Sequence, residues 1–72
     1  MKAFKLGQRV LVQQDGEGNL VGIAGAVVRL CRNDNGAWVK LDTRHAACPF
    51  PEGDARDHNI KAFPDDCAAV RR

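Results

Sequence analysis

Apolar and polar residues alternate along Arg9-Val10-Leu11-Val12-Gln13-Gln14, which sets Val10 and Val12 on one side of a first β-strand. The alternation stops at Asp15-Gly16-Glu17-Gly18-Asn19, where two glycines among turn-forming polar residues predict a loop. A long run rich in Val, Ile and Leu follows from Leu20 to Cys31, interrupted by Gly22 and Gly25. Glycines inside a β pattern mark a bulge or a sharp bend, and a bend is expected near Gly25. Beyond it, plain alternation assigns Ala26, Val28 and Leu30 to one side and Val27, Arg29 and Cys31 to the other. The cluster Arg32-Asn33-Asp34-Asn35 then turns the chain into a third strand, Ala37 to Asp42. Val39 and Leu41 share one face of it, and Trp38 and Lys40 the other. If the aliphatic pair faces the core, Trp38 lies outside it, an assignment that a one-residue slip would reverse.

The stretch 43 to 59 is irregular and carries Pro49, Pro51, Gly53 and the acidic Glu52, Asp54 and Asp57. A connection this long in a small domain is either functional or poorly ordered. Within Cys48-Pro49-Phe50-Pro51, Phe50 is the residue expected to pin the loop by burying its ring. His58 to Phe63 reads as a fourth strand, and Pro64 to Val70 as a helical turn with a brief closing strand at Val70. A hairpin needs further strands before it can bury a face. The pattern therefore predicts an all-β fold, a single domain over 1–72 with about five strands, a long loop and one short helical turn.

Composition narrows the class more than the function. A chain of 72 residues buries only about 60% of the surface it exposes when unfolded, which leaves a thin core that pairing with a second copy would support. The net charge of +2, from 11 Lys and Arg against 9 Asp and Glu, is lower than that of most dedicated nucleic-acid binders. Cys31, Cys48 and Cys67 are odd in number and irregularly spaced, which points to reduced thiols in a cytoplasmic protein and away from a secreted disulfide framework. The apolar stretch Leu20 to Val28 is too short to span a bilayer and follows acidic residues, so neither a membrane helix nor a signal peptide is expected.

Candidate chemistry is sparse. His45 and Cys48 have the spacing of a zinc half-site, with His58 and Cys67 as the remaining ligands, but His58 and Cys67 lack the short pairing that tetrahedral zinc favours. Cys48 near His45 is the one local nucleophile candidate, and the adjacent Pro49 explains that segment more simply as a turn. The acid pairs Asp65-Asp66 and Asp54/Asp57 have no evident pocket to raise a carboxyl pKa. No catalytic residue, metal site or cofactor is expected. A binding surface fares better: Trp38, Lys40 and, across the hairpin, Arg29 combine a stacking ring with cations, with the 43 to 59 loop at its rim. The alternative is that Trp38 packs beneath that loop as ordinary core. Strand addition at an edge such as Arg9 to Gln14 or Ile60 to Phe63 would serve a protein partner. A polyproline groove is disfavoured, because Phe4, Trp38, Phe50 and Phe63 are the chain's only aromatics besides histidine.

Leu6-Gly7-Gln8-Arg9-Val10, the bend Gly25-Ala26-Val27-Val28 and the strand Trp38-Val39-Lys40-Leu41-Asp42 together resemble the SH3-like barrel, in particular small bacterial barrels related to KOW modules. The resemblance covers the first 42 residues; the remainder matches only in the order of its elements, and the Cys-Pro-Phe-Pro loop is an insertion. It implies a module that binds RNA, ribosomal or transcription components, or peptides, or, in one plasmid-borne enzyme type, a folate; it carries over no ligand residue. The expectation is a non-catalytic interaction module that binds a protein or self-associates, with RNA or DNA binding as the alternative.

Overall fold

A computed structural model describes residues 3–48 and 58–70. The chain is all-β: β1 (Arg9–Gln14), β2 (Leu20–Leu30), β3 (Ala37–Leu41), β4 (Asn59–Ala62) and β5 (Cys67–Ala69), with one 3₁₀ turn at Pro64–Asp66 between the last two. The strands form one antiparallel sheet in the order β4-β3-β2-β1-β5. β1 is therefore interior, paired with both β2 and β5, and is not the edge offered for strand addition; β4 is an edge. The expected loop anchor, Phe50, lies outside the described residues.

One cluster of buried side chains draws on every strand: Val10 and Val12 from β1, Val27 from β2, Ala37, Val39 and Leu41 from β3, Ile60 and Ala62 from β4, and Cys67 from β5, with Phe4 added from the lead-in. A single sheet with no helix layer can enclose such a cluster only by curling over its own inner face. The long β2 makes this curl. Its first half pairs with β1 and its second with β3, and the two ladders overlap at Gly25 and Ala26; Gly25 lies opposite Val10 on one side and Leu41 on the other. A Cβ at Gly25 would collide with the Lys40 carbonyl oxygen and lie 2.9 Å from Val39 Cγ1, so the close approach of β2 and β3 requires glycine here. The left-handed turn of the backbone falls instead at Gly22, where φ is +69°.

The bend also corrects the expected facing of β2. The register shifts between Val27, opposite Val39, and Arg29, opposite Trp38. Val28 is thus an extra residue in a bulge, and Val27 and Arg29 fall on opposite faces, not on one. Val27 enters the core while Val28 is exposed. The closing strand is Cys67–Ala69, and it ends one residue before the expected Val70 because its ladder with β1 runs only from Val12↔Cys67 to Val10↔Ala69; the turn before it is a single 3₁₀ unit with Pro64 at its start. In it the Asp66 carboxylate accepts the Phe63 N–H at 3.2 Å and the Asp66 N–H donates to the Phe63 carbonyl at 2.9 Å. No helix among the described residues is long and apolar enough to cross a membrane.

Candidate interaction surface

The strand register assembles the outer face. Arg29 on β2, Trp38 on β3 and Lys61 on β4 lie directly opposite one another and so project from the same side of the sheet. Lys40 follows Trp38 by two residues and shares that side. The expected trio of Trp38, Arg29 and Lys40 thus lies on one face. Its facing is set by the inner partners: Ala37, Val39 and Leu41 are all essentially inaccessible, whereas Lys40 is exposed and Trp38 half-buried. The indole is neither sealed in the core nor fully free.

Trp38 stands between two depressions of about 630 Å³ each. One runs toward β2 and the turn after it, and is lined by Arg29, Leu30, Arg32 and Trp38. The other runs toward β4 and is lined by Trp38, Lys61 and Phe63, by Asp15 and Glu17 of the β1–β2 loop, and by Ala47 from the connection after β3. Of the loop expected to form the rim, residues 46–48 do line this second groove, and residues 49–57 lie outside the described residues.

The charges on the two sides differ in their engagement. Lys61 Nζ is 2.9 Å from Asp34 Oδ2 and 5.4 Å from the centre of the Phe63 ring. The hydrogen bond with Lys61 holds the Asp34 carboxyl below the usual carboxylate range and lifts the Lys61 ammonium. Arg9, at the far end of the face, grips Asp42 with two bonds of 2.8 and 2.6 Å, which raises the guanidinium and lowers the carboxyl. By contrast, among the described residues Arg29, Arg32 and Lys40 have no ion-pair partner.

The β1–β2 loop is a built structure, and the sequence showed only its turn chemistry. Asp15 is buried, and its Oδ1 accepts the Glu17 and Asn19 N–H groups at 2.8 and 2.9 Å while Oδ2 accepts the Asn19 side-chain amide at 2.9 Å. Burial opposes ionisation of Asp15, but these donors together outweigh it and leave the pKa below its ordinary value. The Gly16 N–H donates to the Lys61 carbonyl at 2.9 Å, tying the loop to the edge strand β4. The groove wall formed by Glu17 is thereby held in place.

The remaining candidates are spread through the fold. Cys67 lies in the core opposite Val12, and burial, aided by the Asp66 charge, pushes its thiol up to about 11. His45 and Cys48 share a tight turn in which His45 Nδ1 accepts the Ala47 N–H at 3.0 Å and the His45 carbonyl accepts the Cys48 N–H at 2.9 Å. Cys48 is half-buried against the core. Among the described residues no three His, Cys, Asp or Glu side chains converge as a metal site would require. All three cysteines are free thiols.

A scan against protein-family models and searches of curated proteins and of solved structures return no match to this chain.

Proposed function

We propose that this chain is an SH3-like barrel acting as a non-catalytic interaction module, which contacts a protein partner through the outer face around Trp38, with Arg29 and Lys40 as flanking contacts. The order β4-β3-β2-β1-β5, the long β2 shared between two ladders and the 3₁₀ turn before the last strand support the barrel reading. The observation that carries the functional reading is the half-buried indole opposite Arg29 and beside Lys40 on the face away from the core, with both cations unpaired among the described residues. An amphipathic ring with a nearby guanidinium is the residue combination that concentrates binding energy at protein interfaces. The same unpaired cations favour a second reading, in which a single-stranded nucleic acid stacks on Trp38 and places its phosphates on Arg29 and Lys40.

A photo-reactive phenylalanine analogue at position 38 separates these readings in the cell that makes the protein, with position 65, on the exposed 3₁₀ turn, as the control. A discrete protein adduct at 38 and none at 65 supports the module. A nucleic-acid adduct at 38 that fades steeply with added salt supports the second reading instead. Equal labelling at both positions, or no adduct at 38, overturns both.

A further inference from the structure

Three turns among the described residues are closed by the same kind of bond, in which a side chain accepts the backbone N–H two residues ahead. Asp15 Oδ1 accepts the Glu17 N–H at 2.8 Å, Asp34 Oδ1 the Gly36 N–H at 2.8 Å, and His45 Nδ1 the Ala47 N–H at 3.0 Å. The first two acceptors are carboxylates held below their ordinary value of 3.8, so they go on accepting throughout the neutral range. The third is an imidazole nitrogen, and histidine is the side chain whose charge ordinarily changes between about pH 5 and 8. A neutral ring that accepts at Nδ1 carries its proton on Nε2, so the next proton can enter only at Nδ1. The lone pair that closes the turn is then gone, and two N–H groups face each other.

Arg44 adjoins this half-buried ring in the chain, and the β1–β2 loop stands across from it. From that loop the uncharged Asn19 and Leu20 share a hollow with His45, Ala46 and Ala47, and the charges of Asp15 and His45 feel each other. Glu17 and Lys61 border the neighbouring depression together with Ala46, Ala47 and Cys48. Asp15 attracts an imidazolium, but its oxygens already accept three N–H groups, and no ion pair joins it to His45 among the described residues. A protonated ring is therefore drawn toward the loop and repelled by the Ala47 N–H. We infer that the turn 45–48 is a pH-sensitive latch, closed by neutral His45 through Nδ1 and opened when the ring takes up a proton. What the latch holds is Cys48, which packs against the core and donates its N–H to the His45 carbonyl at 2.9 Å. Ala46, Ala47 and Cys48 also wall the depression on the β4 side of Trp38, so that wall shifts when the turn opens. The latch stands independently of what binds the outer face.

The test follows two local probes from pH 8 to pH 5, each expressed against the unfolded chain at the same pH: hydrogen exchange at the Ala47 amide, and alkylation of Cys48 by a maleimide. Cys67, buried in the core, reports global unfolding in the same samples. In the wild type both local protections should fall at least fivefold across this range while Cys67 stays protected. His45→Asn retains an acceptor, since an asparagine oxygen takes the N–H two residues on, but has no proton to gain; it should stay closed at every pH. His45→Ala has no acceptor and should be open at every pH. A wild type whose local protections do not change overturns the inference. So does a His45→Asn variant that opens with the wild type, because another group is then titrating, or a folded His45→Ala variant as protected at pH 8 as the wild type. Should His45→Ala expose Cys67 as well, that variant is unfolded, and the comparison of wild type with His45→Asn decides.

Discussion

The two faces of β3 are made by five consecutive residues yet obey different rules. Ala37, Val39 and Leu41 point inward and are each at most 1% exposed, so any lost volume there leaves a cavity in a close-packed interior. Trp38 and Lys40 point outward, one half-buried and one exposed, where a truncation meets solvent and the neighbours relax. The inner face sets stability, and the outer face is at liberty to set recognition. The β2 bulge keeps this division sharp by turning Val27 in and Arg29 out.

The largest effect is expected at the point where the two strands touch. Gly25→Val drives side-chain atoms into the β3 backbone and should cost about 3 kcal/mol or more in a urea melt. Gly22→Ala, strained only by its positive φ, should cost about 1–2 kcal/mol. A Gly25 variant as stable as the Gly22 variant would mean that the strands do not approach so closely.

On β3 itself, Leu41→Ala should lose about 2–5 kcal/mol, and Trp38→Ala clearly less, while only the second weakens partner binding at the outer face. Equal destabilisation by both would erase the distinction between the faces and make Trp38 a core residue.

Two kinds of carboxylate sharpen the same contrast on a smaller scale. Asp15→Ala leaves three N–H donors without their acceptor and should cost about 1–3 kcal/mol, with faster amide exchange at Glu17 and Asn19. Asp42→Asn breaks an exposed ion pair and should change stability least, in a way that added salt erases. The pKa values of Asp15, Asp34 and Asp42 are all lowered in the fold. Their contribution is therefore fully present above the ordinary value of 3.8 and lost as pH falls through the lower folded values. An acid melt in high salt should retain the Asp15 part and lose the others.

At alkaline pH the sign is opposite for Cys67. Its thiol, ordinarily at 9.0, is pushed up to about 11 in the fold. It follows that the stability linked to the neutral thiol is present below 9.0 and declines as pH rises toward 11. At pH near neutrality a thiol reagent should modify the half-buried Cys31 and Cys48 first, and reach Cys67 only at the rate of unfolding. Rapid labelling of Cys67 in the folded protein would contradict its place in the core.

Local pattern carried much of this far. Period-two alternation marked Val10 and Val12, and Val39 and Leu41, as inward pairs, because side-chain direction along a strand is a local property. The same rule set Trp38 and Lys40 on the face opposite that pair, outward only on the condition that the pair faces the core, and Pro64 announced the turn before the closing strand, since its fixed φ suits the start of a helical turn. Alternation failed where a partner strand intervened: the bulge at Val28 depends on how β2 and β3 pair, and no count along β2 alone reveals which residue is extra. For the same reason β1, first in sequence, proved to be interior. The groove wall was hidden as well, since Asp15 and Gly16 read as turn residues and only the fold ties them to Lys61. The sequence by itself determined strand identity, the inward aliphatic sets and the all-β class, because these follow from short-range geometry and hydrophobic burial. Only the tertiary structure decided the facing of Arg29, the engagement of Lys61 by Asp34 and the two grooves on either side of Trp38, because each depends on residues far apart in the chain being brought into register.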